Sequence, residues 1–320
     1  MFINILLLVL GFIFLIKGAD IFVDGASNLA QNFKIPKIII GLTIVAFGTS
    51  APELAVSIKA NLSGNSDIVL GNVVGSNILN ILLILGLSGL FSSMSVKDDT
   101  VKKEIPFTIL FSSLLMILSF DNMFDKSIVN VITRTDGIVI LLFFIIFIYY
   151  LITVMINNRK KEKEKEEKPK YNIIFSIIFT IMGIVGIVLG SNFVVDNAVE
   201  IAKTLNVSEK MISLTIVALG TSLPELVTSV QASRKNENDI AIGNIIGSNI
   251  FNIGVVVGIP AAFIGQVAVG AFNYIDMFTM IISAILLFIL TFKNRKLGRF
   301  EGIVMLGLFV FYYTYVIIGG

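Results

Sequence analysis

The 320-residue chain has no cysteine and no histidine, and only 14% of its residues are charged. The first two absences remove thiol chemistry, disulfides and haem or zinc held through imidazole. Sparse charge, with a net of +2, leaves no field to recruit a nucleic acid or an acidic partner. The start, MFINILLLVLGF, lacks a basic n-region and a small-residue cleavage pattern, so it reads as a first membrane span rather than a signal peptide. What the chain does have is apolar sequence. Hydrophobic residues make up 56%, more than a soluble domain carries. The apolar runs are long and continuous rather than alternating at period two, which selects helices over a barrel.

Ten spans are expected, near 2–24, 37–60, 67–91, 105–120, 134–156, 171–197, 210–232, 239–265, 272–292 and 300–318, each close to the ~20 residues a bilayer requires. The one strongly charged run, NNRKKEKEKEEKPK at 157–170, reads as a solvated linker. Basic residues are unevenly placed. Eighteen fall after odd-numbered spans (Lys34, Lys37, Lys97, Lys102, Lys103, seven between Arg159 and Lys170, Arg234, Lys235, Lys293, Arg295, Lys296, Arg299). Five fall on the other side (Lys59, Lys126, Arg134, Lys203, Lys210). The positive-inside rule then puts the linker and odd loops in the cytoplasm and both termini outside a cell membrane.

A sentence of sequence occurs twice. Residues 42–54 read LTIVAFGTSAPEL and 214–226 read LTIVALGTSLPEL; DIVLGNVVGSNILNI begins at Asp67 and DIAIGNIIGSNIFNI at Asp239. The offset of 172 holds without insertion from Gly11/Gly183 to Gly86/Gly258. Five spans per half is an odd number, so the second half enters the membrane inverted, as in secondary transporters that bind cargo at the repeat interface. The expected fold is therefore an all-α polytopic membrane protein of ten helices. Residues 1–156 form the first repeat, 157–170 the linker and 171–320 the inverted second repeat.

Each copy sets Pro one residue before Glu. A helical proline lacks an N–H for the carbonyl four residues earlier, here that of Gly48 or Gly220, so the helix is expected to break and leave carbonyls such as those of Ala46 and Ala218 available. Thr49 and Glu53, like Thr221 and Glu225, lie one turn apart and share a face. An ionised carboxylate at mid-bilayer costs about 2.5–3.5 kcal/mol even on the lenient insertion scale, and a divalent cation between two of them would neutralise both. In the second block Ser76 and Asn80, and Ser248 and Asn252, again lie one turn apart, while Gly71/Gly75 and Gly243/Gly247 have the GxxxG spacing of close helix contacts. Carboxylates, hydroxyls, amide oxygens and carbonyls make an all-oxygen set suited to Ca²⁺, and also able to hold Na⁺. The bland reading has kinks from Pro and Gly, interhelical bonds from Ser, Thr and Asn, and protonated glutamates. Duplication of the whole context weighs against it. Asp24 and Asp196 coincide under the repeat and read as interfacial, as does Asp276; Asp67 and Asp239 sit where a carboxylate favours a helix dipole.

At these motifs the chain resembles the cation/calcium exchanger superfamily, in its prokaryotic sodium/calcium exchanger-like branch. GTSAPE with GNVVGSNILN looks like that family's first alpha repeat, and GTSLPEL with GNIIGSNIFN like its second. The resemblance implies alternating-access antiport without a cofactor, Na⁺ influx driving Ca²⁺ export; in the mechanism expected here, either ion-occupied state permits the first and sixth spans to slide past the core. It further implies Glu53 and Glu225 as central Ca²⁺ ligands and Thr49 and Thr221 as added oxygens. Ser50, Ser76, Ser222, Ser248, Asn80 and the Ala46 and Ala218 carbonyls would contribute to flanking Na⁺ sites. Some members carry an aspartate at the end of the second block. Here Asn80 and Asn252 occupy both places, and two carboxylates rather than three argue against K⁺ co-transport. A proton-coupled or potassium-dependent calcium/cation antiporter is the alternative, with a cation channel more remote; an intramembrane enzyme lacks a nucleophile-and-base motif. The lipid bilayer is the surroundings, and no obligate protein partner is implied.

Overall fold

A computed structural model describes residues 1–121, 130–159, 169–205, 218–269 and 274–318. The helices are α1 (Phe2–Phe33), α2 (Lys37–Thr49), α3 (Ala51–Leu62), α4 (Asp67–Phe91), α5 (Ile105–Ser119), α6 (Arg134–Arg159), α7 (Ile173–Thr204), α8 (Ala218–Thr221), α9 (Leu223–Arg234), α10 (Asn238–Ile264), α11 (Tyr274–Phe292) and α12 (Arg299–Ile318). Among the described residues seven are long and apolar enough to cross a membrane, and α2–α3, bent by 46°, makes an eighth span. Of the remaining two expected spans, one is the 15-residue α5, about 22 Å long at the helical rise. The other is α8–α9, whose expected beginning at 210–217 lies outside the described residues, as does 160–168 of the linker.

The layering is that of a protein in lipid. α10 is buried along nearly its whole length and α4 along most of it. Large apolar side chains point outward from the peripheral helices: Phe2, Ile145, Ile174 and Phe311 are each at least 60% exposed. The polar side chains are inside instead, with Ser50, Glu53, Asn77, Asn80, Ser248 and Asn252 all shut away. Hydrocarbon supplies no hydrogen bonds, so polar groups must find partners within the bundle.

α1 and α7, 32 residues each, run antiparallel in close contact. A Cβ on Gly18 would lie 2.7 Å from the Ile187 nitrogen, and one on Gly183 would lie 2.6 Å from the Phe22 Cα. Glycine permits this backbone approach, which replaces the missing hydrophobic drive between helices in lipid. On the other side of the bundle Gly243 and Gly247 bring α10 against Gly41 and Leu42 of α2, as the GxxxG spacing predicts.

Four two-residue strands close the ends. β1 (Met94–Ser95) pairs antiparallel with β4 (Lys296–Leu297), and β2 (Val131–Ile132) with β3 (Val267–Ala268). Each ribbon joins one half of the chain to the other. Beside the first, Lys102 and Arg295 bond to Asp98 at 2.5 and 2.7 Å and hold its carboxyl below the usual range.

Candidate cation site at the repeated helix breaks

Both Pro-Glu motifs break the helix at the serine. Ser50 has φ −85° and ψ 5°, Ser222 φ −89° and ψ 4°, so the two halves solve the same steric problem in the same way. Pro52 and Pro224 then fall in the first turn of the next helix, where a missing N–H costs nothing. Glu53 and Glu225 fall there too, at the helix end whose partial positive charge suits a carboxylate. The break comes one residue later than a fully freed Ala46 carbonyl requires: that oxygen accepts the Ser50 N–H at 2.9 Å, which leaves it one lone pair. Proline removes the donor to Gly48, so the helix stays intact through the Ala46 bond.

Glu53 and Glu225 are 0% and 1% exposed. Ser50, from one half, donates to Glu225 Oε1 of the other at 3.0 Å. Thr49 donates to Asn244 Oδ1 at 3.0 Å and lies 3.4 Å from the Ser248 hydroxyl. Ser222 donates to the Ser76 hydroxyl at 3.2 Å. Thr221 is half-buried in α8, with Ala218 at the start of that helix.

Asn80 and Asn252 lie where α4 and α10 widen into π-helical stretches, Leu79–Leu85 and Asn252–Val257, a local irregularity common at functional sites. Asn80 donates to Asn249 Oδ1 at 2.9 Å, and Asn252 to Asn77 Oδ1 at 3.1 Å. Asn77 and Asn249 each donate to the other's backbone carbonyl at 3.2 Å. With the amide nitrogens so engaged, Oδ1 of both Asn80 and Asn252 has no partner among the described residues. The same holds for both oxygens of Glu53 and for Oε2 of Glu225. Five buried acceptors without donors are costly, and all five are oxygens of the kind hard cations take.

Reasoning from the motifs overlooked the residues that hold the glutamates. Asn72 donates to the Glu53 carbonyl and to Ser57, both at 3.1 Å; Asn244 donates to Ser229 at 2.9 Å and to the Glu225 carbonyl at 3.5 Å. The signal was available, since Asn72/Asn244 and Asn77/Asn249 recur at the same offset of 172.

Fold and sequence define a multi-pass helical membrane protein with a repeated, carboxylate-bearing helix break in its interior. The family model described as sodium/calcium exchanger protein matches residues 3–153 and 175–318, and the chain belongs to that family. It is 34% identical to Sodium/calcium exchanger MaX1 of Methanosarcina acetivorans, over 99% of this chain and 98% of that one. Its identity to Inner membrane protein YrbG of Escherichia coli is 34%, over 95% and 94%. The solved structure of the sodium-calcium exchanger NCX_Mj soaked with Na⁺ and Sr²⁺ superposes with a TM-score of 0.82 at 32% identity, covering 97% of each chain.

Proposed function

We propose that this protein exchanges Na⁺ for Ca²⁺ across the cell membrane by alternating access, with the ions held between Glu53 and Glu225. The observation that carries the site is the set of five buried, unpartnered oxygens, three of them from the two glutamates. Glu53 and Glu225 are the Ca²⁺ ligands in this reading, with Asn80 and Asn252 completing the sphere. Thr49, Thr221, Ser50, Ser222, Ser76, Ser248 and the Ala46 and Ala218 carbonyls serve the flanking Na⁺ positions. Ca²⁺ neutralises both carboxylates, and Na⁺ competes for the same oxygens. An empty site leaves two charges without a counter-ion in a medium of low dielectric, which disfavours crossing without cargo and couples the two fluxes.

The reading extends to two inverted five-span repeats, 1–156 and 171–320, joined by a cytoplasmic linker, with both termini outside. It is supported by the pairs that match at the offset of 172: the breaks at Ser50 and Ser222, the reciprocal Asn77–Asn249 bonds, and the π-helical stretches. The two ribbons fit as well, since each joins a loop after a half's third span to the other half's loop after its fourth. At the glutamates the equivalence fails: Ser50 donates to Glu225, whereas Ser222 donates to Ser76. A transporter alternating between two states exchanges such roles, so the opposite state has Ser222 donating to Glu53.

The test is radioactive calcium uptake into proteoliposomes loaded with Na⁺ and diluted into Na⁺-free buffer, with K⁺ and pH gradients varied separately. Uptake that requires the outward Na⁺ gradient is expected. Uptake driven by pH alone would move the protein to proton coupling, and no uptake under any gradient would overturn the substrate.

A further inference from the structure

The turn between α9 and α10 gathers four ion pairs and a hydroxyl. Lys235 reaches Asp20 and Asp24 of α1, each at 2.7 Å, and the Asp20 carbonyl at 2.8 Å. Glu237 accepts from Ser27 of α1 and from Lys37 of α2, both at 2.9 Å. Asp239 meets Lys97 at 2.6 Å. Lys37 and Lys97 thus tie the turn to the bundle, while Lys235 and Glu237 tie it to α1. α1 is in turn one body with α7: besides their glycine seam, Asn28 accepts from the Lys170 and Tyr171 nitrogens at 2.8 and 3.2 Å, and Asn32 donates to the Tyr171 carbonyl at 2.9 Å.

The equivalent turn, between α3 and α4, provides an internal control. Its backbone is the same: Ser63, Gly64 and Asn65 donate to Lys59, Asn61 and Ala60, just as Lys235, Asn236 and Glu237 donate to Gln231, Ser233 and Ala232. Gly64 and Asn236 both take a left-handed φ, 81° and 60°. The charges differ. Ser63 stands at the place of Lys235, Asn65 at that of Glu237, and Asn192 at that of Asp20. Among the described residues, identical turns therefore carry these ion pairs at one end of the bundle only.

We propose that the turn 234–239 is a charge latch, without a counterpart among the described residues of the opposite end, which holds the α1–α7 pair against α9 and biases the transporter against opening on that side. This rests on the alternating-access reading, in which the latched end is cytoplasmic and α1 and α7 slide. Behind the latch lies Thr228 of α9, fully buried, two turns before Lys235 and on the same face of the helix, the face that Lys235 turns toward α1. Exposing it requires α1 to leave, and that breaks the Lys235 pairs.

The chain's lack of cysteine makes the test direct. Thr228→Cys is introduced into the full-length protein in inside-out vesicles, and its reaction with a membrane-impermeant thiol reagent is timed. Adding Lys235→Gln should raise the rate roughly three- to tenfold, the population shift expected from losing two half-exposed ion pairs. The charge-swapped variant Lys235→Asp with Asp20→Lys and Asp24→Lys should return it toward the parent value, which general loosening of the fold would not. An unchanged rate in Lys235→Gln, or no return on swapping, overturns the latch. Accessibility is read without transport, so Na⁺-driven calcium uptake in the same vesicles reports separately on the exchanger reading.

Discussion

Two carboxylates with no protein cation beside them among the described residues sit inside a lipid-facing bundle, and the backbone carbonyl of each glutamate accepts from an asparagine one helix away. Asn72 also donates to Ser57 and Asn244 to Ser229, which fixes the two amides, while Ser50 donates to a carboxylate itself, that of Glu225. Glu53→Gln or Glu225→Gln keeps the shape and removes the charge, so Ca²⁺ uptake should fall by at least about 100-fold with the protein still inserted, since hard-cation affinity follows ligand charge. The same proteoliposome assay, normalised to incorporated protein, checks this. Asn77 does a different job. Truncating it to alanine strands the Asn252 side-chain amide and the Asn249 backbone carbonyl, at about 1–3 kcal/mol for a buried group, and should lower the unfolding temperature of the detergent-solubilised protein. The glutamates were legible in the sequence because an intramembrane carboxylate stands out from its apolar surroundings. The asparagines were equally repeated but looked like ordinary helix glue; only their reciprocal bonds set Asn77 and Asn249 apart.

Helices here are shaped by where glycine and proline fall. The 46° bend between α2 and α3 follows from Pro52 and places Glu53 at a helix start rather than mid-helix. Pro52→Ala returns an N–H to face the Gly48 carbonyl, allowing α2 to run on into α3. Exchange should drop about tenfold as the site loses its break, while thermal stability holds, because a proline in a first turn costs the helix little. At the α1–α7 seam the opposite outcome is expected. Gly183→Val pushes a side chain into the Phe22 backbone and should cost about 3 kcal/mol, read as a lower unfolding temperature, with transport lost. Proline and glycine positions were readable in advance. That the break stops after the Ala46 bond was not, because it depends on which turn the surrounding helices hold.

Across the whole molecule the repeat makes one demand that composition cannot meet by itself: equivalent positions must emerge on opposite faces. Leu62 and Arg234, 172 residues apart and both exposed, offer the check. Leu62→Cys should react with an impermeant thiol reagent only from outside and Arg234→Cys only from the cytoplasmic face; labelling from one face would rule out inversion.

The sequence by itself determined the medium, the duplication, the glutamates and the sites of helix breakage, because hydropathy, an ungapped repeat and proline's missing N–H are local properties. Tertiary structure alone decided which oxygens are left without donors, that Ser50 of one half serves Glu225 of the other, and that the turn 234–239 gathers ion pairs from α1, α2 and the loop after α4. Those depend on which side chains from distant segments meet, and a chain of short-range preferences does not specify a meeting until its helices have packed.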